Sequence, residues 1–311
     1  MQTQKWLQNI GLCFICFVTL SCQTISNIKS SIADTVTGKS HKELIKEEKR
    51  KQSEADLPFR GLDTSLRLNR IVFGSCADQD QPQPIWSPIL TNKPDLFVFM
   101  GDDIYASRAE QKPISEQYKK LNRIPEYRSV REKVPFMATW DDHDYGQNDG
   151  GGNNPEKETA KAEFLKYWSY VKYSLSKDQK ALYHSKIFGS KKQLVQIILL
   201  DTRWDRSELK KNELDNDPLQ PRPYLPDDDK NKRFLSDEQW HWLEAELKKP
   251  ASFRILVSSI QVIANDHSFE KWGNFPLERE RLFNLLKKTK AKNLVILSGD
   301  RHMSAIAKTE I

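Results

Sequence analysis

Five short apolar runs along this chain each end abruptly in a cluster of glycine, aspartate, histidine or cysteine. Continuous runs of Val, Ile, Leu and Phe of this length predict buried strands rather than half-exposed ones. A sixth apolar run, from Phe253 to Ile260, ends near Gln261 without such a cluster. The five junctions are Arg70–Phe73 before Gly74-Ser75-Cys76, Leu96–Met100 before Gly101-Asp102-Asp103, Val134–Trp140 before Asp141-Asp142-His143-Asp144, Val195–Leu200 before Asp201-Thr202-Arg203, and Leu294–Leu297 before Ser298-Gly299-Asp300-Arg301-His302.

Helical patterns separate several of these strands. A helix is predicted to begin after Pro155, and a second one behind a capping box formed by Ser236 and Gln239. A third is predicted over Glu278–Lys288. The apolar positions that recur at helical spacing in the first are Ala160, Phe164, Trp168 and Val171. Alternating strands and helices predict an α/β sheet, in which ligands bind beyond the carboxyl ends of the strands. The polar clusters therefore converge on one site.

The side chains gathered at the strand ends are mostly hard oxygen donors. Packing so many carboxylates together without a counter-charge is unfavourable, because they repel one another and lose hydration. One metal ion, or two sharing a carboxylate, resolves this, and Fe(III), Mn, Ca or Zn suit the donors. The alternative is that these residues are helix caps and turns. The full set is Cys76, Asp102, Tyr105, Asp141, Asp142, His143, Asp144, Asn148, Asp201, Asp300 and His302.

The five ordered motifs resemble those of the PhoD-like (alkaline phosphatase D) family, within the calcineurin-like metallophosphoesterase superfamily. The resemblance runs from Arg70 to the end of the chain. It implies a phosphoric ester hydrolase that acts on phosphate mono- or diesters through a two-metal site. It also implies an α/β fold of four layers, in which two mixed β-sheets are flanked by helices.

The resemblance also implies a role for each strand-end residue. Asp102 is expected to bridge two metal ions, of which one is Fe(III) and the other Ca(II), with Mn or Zn as alternatives. The expected further ligands are Cys76, Tyr105 and His302 on the ferric ion, and Asp300 with Asp142, Asn148 or both on the second ion.

Three further side chains have two interpretations each. His143 is the candidate general acid, or else a histidine that orients a metal ligand. Arg203 is a candidate clamp for substrate phosphate, or else a buried partner for Asp141 or Asp144. His267 follows the sixth run and is either a metal ligand or a loop histidine. His41, His184 and His241 are expected at the surface.

The amino-terminal residues have the pattern of an export signal. Lys5 precedes an apolar run over Gly11–Leu20 that is too short to span a membrane. The segment Val18–Cys22 resembles a lipoprotein box, so we expect cleavage before Cys22 and lipidation of its thiol, or ordinary cleavage with a free thiol. The expected organisation is residues 1–22 as signal peptide, 23–65 as polar tether and 66–311 as the enzyme domain. The expected location is the periplasm or cell surface, anchored by lipid, or otherwise secreted.

Two other functional classes remain open. Cys76, the one cysteine expected in the folded domain, could be the nucleophile of a thiol hydrolase with His143 or His302 as base. Alternatively, the chain is a non-catalytic, metal-binding surface lipoprotein. The net charge of +6 carries no nucleic-acid signature, and no protein partner is evident. The stretch Ser304–Ile311 has the pattern of a strand cut short, so the domain is expected to be incomplete at its C-terminus.

Overall fold

The computed structural model describes residues 60–190, 193–215, 217, 219 and 221–310. The predicted signal peptide, its lipidation site Cys22 and the tether up to residue 59 lie outside the described residues. Within the described part of the chain, no helix is both long and apolar enough to cross a membrane.

The first sheet has three parallel strands in sequence order: β1 (Ile71–Gly74), β2 (Leu96–Met100) and β3 (Phe136–Thr139). It is therefore parallel rather than mixed. Parallel strands need crossover connections, which here contain α1 (Trp86–Thr91), α2 (Ile114–Arg123) and α3 (Pro125–Lys133). Because all three strands run the same way, their carboxyl ends lie at one edge.

The second sheet is mixed, in the order β4-β5-β8-β9, and only β4 and β5 are antiparallel. Its strands are β4 (His184–Ser190), β5 (Gln193–Leu199), β8 (Phe253–Val257) and β9 (Leu294–Leu297). Two short strands, β6 (Lys210–Lys211) and β7 (Tyr224–Leu225), pair separately. The remaining helices are α4 (Asp142–Tyr145), α5 (Lys157–Tyr167), α6 (Ser169–Lys172), α7 (Asp237–Leu247) and α8 (Pro276–Thr289).

The two sheets pack face to face through one apolar core. The alternation of strand side chains divides each sheet between two layers. From the first sheet Leu96, Val98 and Met100 enter the shared core, which they form with residues such as Ile197 and Val257 of the second sheet. The opposite face of β2 carries Phe97 and Phe99, which contact aromatic rings of the helical layer: Trp86 for both, and Trp168 for Phe99.

The second sheet packs its outer face on α7 and α8. Ile198 and Leu256 point to this side and join Leu243 and Leu282 in a second buried cluster. The predicted cap holds: the Ser236 hydroxyl accepts a hydrogen bond from the Gln239 amide at the start of α7. The order of layers is helices, sheet, sheet, helices, which confirms the predicted four-layer α/β sandwich.

Some local expectations were wrong. His184, expected at the surface, is 2% exposed, because it lies in strand β4. That strand was not predicted from the sequence. The outer strands β1 and β9 are only partly buried, with Phe73 52% and Val295 44% exposed, since each has a neighbour on one side alone. Residues 304–310 form no strand; they are exposed and pair with no described strand. His241 is exposed, as expected.

Candidate metal centre

The carboxyl ends of strands from both sheets bring the predicted residues together. Cys76 follows β1, Asp102 follows β2, Asp142 follows β3 and Asp300 follows β9. The first two loops are joined by main-chain hydrogen bonds, from the Cys76 amide to the Gly101 carbonyl at 3.3 Å and from Ala77 to Asp102 at 2.9 Å. The convergence predicted from the strand ends therefore occurs.

Asp102 occupies the middle of this convergence. Three groups of side chains each place one donor atom per residue within 4.8 Å of the others, and Asp102 belongs to all three. The groups are Cys76, Asp102 and His302; Asp102, Asp142 and His143; and Asp102, Asp141, Asp142 and Asp300. A carboxylate shared in this way is suited to bridge two cations.

Four of the predicted ligands have a left-handed backbone. The φ angles are 60° at Cys76, 51° at Asp102, 67° at Asp300 and 50° at His302. Side chains other than glycine rarely adopt this conformation, and each instance costs of order 1–3 kcal/mol. The surrounding fold therefore enforces the position of these side chains at an energetic cost, as is common in functional sites.

Two glycines of the motifs allow the loops to approach one another. Gly101 has φ +103°, and a Cβ built there would lie 2.5 Å from the Cβ of Asp141. A Cβ at Gly299 would lie 2.6 Å from the Cβ of Ser75. Larger residues at either position would push apart loops that carry the donor atoms.

The side of the site formed by Cys76, Tyr105 and His302 is open to solvent. The Tyr105 hydroxyl and His302 Nε2 are 2.8 Å apart, and Cys76 Sγ lies 3.5 Å from a carboxylate oxygen of Asp102. His302 is exposed, whereas Cys76 and Tyr105 are partly buried. Phenol, imidazole, thiol and carboxylate donors thus come together where a small molecule could reach them.

The carboxylates on the other side are buried together. Burial, followed by repulsion from Asp142 and Asp141, raises the pKa of Asp102 well above its ordinary value. Burial and repulsion from Asp142 and Glu270 raise the pKa of Asp300 to about 8. One oxygen each of Asp141 and Asp142 is buried without a hydrogen-bond partner. A cation stabilises such a cluster of carboxylates. Together with the sulfur, phenol and imidazole donors of the open side, these oxygens fit a two-metal site.

His143 lies against the same cluster. Its Nδ1 is 2.7 Å from the Ser107 hydroxyl, and its ring packs on Tyr105 with centroids 4.1 Å apart. Burial lowers the pKa of His143, although the charge of Asp142 opposes the shift. His143 is itself a member of the second donor group, with Asp102 and Asp142, so it could also be a metal ligand, which was not predicted from the sequence.

Of the two interpretations of Arg203, its geometry is that of a buried partner of Asp141 and not that of a phosphate clamp. Its side chain is 0% exposed, and its Nε donates to Asp141 at 2.6 Å. One terminal nitrogen lies 2.5 Å from Glu270. With both carboxylates on its guanidinium and no solvent access, Arg203 is unavailable to bind substrate.

Other strand-end residues hold the loops in place. The Asp144 carboxylate accepts hydrogen bonds from the main-chain amides of Ile104 and Asp141, and the Asp201 carboxylate accepts a side-chain hydrogen bond from the Trp140 indole at 2.9 Å. Asn148 is exposed and donates to Asp149.

His267 lies outside the three donor groups. Its ring nitrogens are buried without hydrogen-bond partners, and burial together with Lys271 and Arg301 lowers its pKa to about 4. Glu270, which was not predicted from the sequence, is 1% exposed and paired with Arg203. Its one sequence signal is its place directly before Lys271-Trp272-Gly273-Asn274, in a loop after the sixth run.

Comparisons with known proteins give a family match, one curated relative and one structure with a similar fold. A family model described as "PhoD-like phosphatase" matches residues 71–311. "Alkaline phosphatase D" of Bacillus subtilis (strain 168) is 27% identical over 210 residues, which covers 59% of this chain and 34% of that protein. The chain thus spans about a third of this curated relative's length. A solved structure described as "Structure of PhoD" superposes with a TM-score of 0.58 at 22% identity, covering 78% of this chain and 53% of the other. The latter supports the fold.

Proposed function

The chain belongs to the PhoD-like phosphatase family, and on that premise we propose that it hydrolyses phosphate mono- or diesters at the centre around Asp102. The observation that carries the proposal is that Asp102 belongs to all three donor groups. This arrangement supports a site for two metal ions with Asp102 between them. Cys76, Tyr105 and His302 would hold Fe(III), and Asp300 with Asp142, Asn148 or both would hold Ca(II). Mn or Zn are alternative metals.

The metal ions would activate water and offset charge on the phosphoryl oxygens. The chain's own contribution begins with Asp102, Asp142 and Asp300, which offer carboxyl oxygens to a cation and release any proton they hold when it binds. The left-handed backbone at Asp102 and Asp300, and helix α4 at Asp142, hold these donors before any ligand arrives, which lowers the cost of ordering them on binding. The open side at His302 gives a phosphoester access to the centre.

His143 is the proposed general acid. Because Nδ1 is hydrogen-bonded to Ser107, Nε2 is the nitrogen left to hold the proton that the departing alkoxide oxygen receives. Stacking on Tyr105 restricts the ring to one orientation. The alternative is that His143 acts as a metal ligand or orients one.

A thiol hydrolase is less well supported. The Cys76 thiol donates to Ser75 and Asp102, and none of its described hydrogen bonds goes to a histidine base. Burial and the charges of Asp141 and Asp300 raise the pKa of the Cys76 thiol to about 11, so the thiolate is disfavoured in the metal-free protein. No observation favours a non-catalytic lipoprotein.

Metal content and turnover of the full chain test the proposal. Inductively coupled plasma mass spectrometry should find near one iron and one further divalent ion per chain. The loaded protein should hydrolyse p-nitrophenyl phosphate or its bis ester, and chelation should abolish this. Folded protein that binds metal without turnover of either ester refutes the proposed hydrolysis.

Export and anchoring at the membrane through Cys22 belong to the same proposal and rest on the amino-terminal sequence. Expression with labelled palmitate should place the label on the wild-type chain, in the membrane fraction, and not on Cys22→Ser. An unlabelled wild-type chain, or label retained by the variant, contradicts lipidation at Cys22.

A further inference from the structure

Two arginines and a glutamate form a buried charge network beside the candidate metal centre. One carboxylate oxygen of Glu270 lies 2.5 Å from Arg203, and the other lies 2.8 Å from Arg206. The arginine side chains are 0% exposed and that of Glu270 is 1% exposed. Buried ions at this depth are retained only when each finds a partner. Glu270 is the anion common to both guanidinium groups.

The network reaches the metal centre by one direct contact. Arg203 donates to one carboxylate oxygen of Asp141 at 2.6 Å, and its terminal nitrogen lies 4.0 Å from Asp142. The other oxygen of Asp141 has no hydrogen-bond partner. Arg203 therefore fixes the rotamer of Asp141 and leaves one of its oxygens for the donor group.

A second connection runs through the loop after α4. Arg206 donates to the carbonyls of Asp149 and Gly150 at 2.6 and 2.8 Å, and Arg203 donates to Gly150 at 3.2 Å. The Asp149 amide in turn donates to a carboxylate oxygen of Asp142 at 2.7 Å. A shift of either arginine would move the main chain that orients Asp142.

Without Glu270, two like charges would be buried side by side next to a cation site, and their mutual repulsion would displace them. Asp141 would then compensate Arg203 alone and be less available to a metal ion. We propose that Glu270 is a positioning residue of the metal centre, which holds Arg203 and Arg206 where they orient Asp141 and Asp142. This inference rests on the proposed function in one respect, that the donor groups bind metal.

Isothermal titration calorimetry of Mn²⁺ binding to the metal-stripped full chain tests the inference. Glu270→Gln keeps the size and removes the charge, and should raise the Mn²⁺ Kd by about 10–100-fold, the usual effect of changing a residue that orients a metal ligand. Glu270→Asp keeps the charge but is too short to reach both arginines, so its Mn²⁺ Kd should lie between those of the wild type and Glu270→Gln. Glu270→Asp also serves if Glu270→Gln does not fold.

Glu278→Gln is the matched control. Glu278 is also buried, at 8% exposure, but its hydrogen bonds among the described residues go to Phe234, Leu235, Trp240 and Arg281. Glu278→Gln should lower the melting temperature and leave the Mn²⁺ Kd unchanged. If Glu270 had only a structural role, Glu270→Gln would likewise lower the melting temperature without changing the Mn²⁺ Kd.

A wild-type Kd in folded Glu270→Gln or Glu270→Asp overturns the inference, as does an equal loss of affinity in Glu278→Gln. The outcome is separable from the proposed function. A wild-type chain that binds Mn²⁺ but hydrolyses no phosphoester contradicts the function, and the ratio of Kd values still decides the role of Glu270.

Discussion

Replacing Asp300 by asparagine is expected to stabilise the metal-free protein while weakening its metal site. Burial and the neighbouring charges of Asp142 and Glu270 raise the pKa of Asp300 from 3.8 to about 8. Asparagine has nearly the same shape, tolerates the left-handed φ of 67°, and removes the ionisable group. No side-chain hydrogen bond of Asp300 is among those described, so the substitution breaks none of them.

The magnitude follows from linkage between protonation and folding. At pH 7 the Asp300 carboxyl is ionised in the unfolded chain and neutral in the folded one. Between its unfolded pKa and pH 7 lie roughly 3 pH units, and each costs about 1.4 kcal/mol of folding free energy, so the penalty that asparagine removes is at most about 4 kcal/mol. Side-chain relaxation and entry of water reduce such penalties. We therefore expect a gain of about 1–3 kcal/mol, or about 2–10 °C in Tm for a domain of this size.

The sign gives the pH window. A raised folded pKa means that the folded state binds more protons, so the wild type loses stability relative to the variant as the pH rises from about 4 to about 8. The assay is thermal unfolding by calorimetry in EDTA across that pH range. When it is repeated with Mn²⁺, the melting temperature of the wild type should rise more than that of Asp300→Asn. Asp228→Asn, at an exposed position, should change nothing. An Asp300→Asn protein no more stable than wild type at pH 8 in EDTA refutes the reasoning.

Three further substitutions test individual roles. Asp102→Asn should lose both metal ions and all turnover, because its carboxylate is shared by every donor group; full metal stoichiometry by mass spectrometry would refute the bridging role. His143→Ala should keep its metals and lose about 10²–10⁴ in kcat, the usual contribution of an acid or base; loss of a metal ion would instead show that it is a ligand. Gly101→Ala should cost about 1–3 kcal/mol of unfolding free energy in urea titrations, because its Cβ would overlap Asp141. An unchanged midpoint would contradict the close approach.

Strands that carry contiguous apolar residues were predictable, and those with mixed patterns were not. The run Leu96–Met100 coincides with β2, which is wholly buried between two layers. Strand β4 was missed because it is an edge strand that mixes exposed and buried positions and includes Lys186 and Gly189. Helix α2 was missed because it buries Gln117 and Asn122 alongside its apolar residues, which hides the helical period.

The metal centre was predictable to the extent that strand ends place residues locally. Cys76, Asp102 and Asp300 each follow a strand directly in the sequence, so the strands alone place them at one edge. The role of Arg203 could not be chosen, because a guanidinium binds a carboxylate and a phosphate with equal geometry. Glu270 lies ten residues beyond the end of the sixth predicted strand rather than directly at a strand end, and its burial depends on two arginines that lie far from it in the sequence.

The polar contacts around Asp141 join the two sheets at the edge where the donors lie. Asp141 follows β3 of the first sheet, and it is held by Arg203 and Ser259, which follow β5 and β8 of the second. Asp102 and Asp300 likewise come from opposite sheets. The spacing between the sheets therefore sets the spacing between donor atoms. A larger or smaller side chain in the shared core, such as at Val98 or Ile197, is expected to change which cation fits between the donors, although it touches none of them.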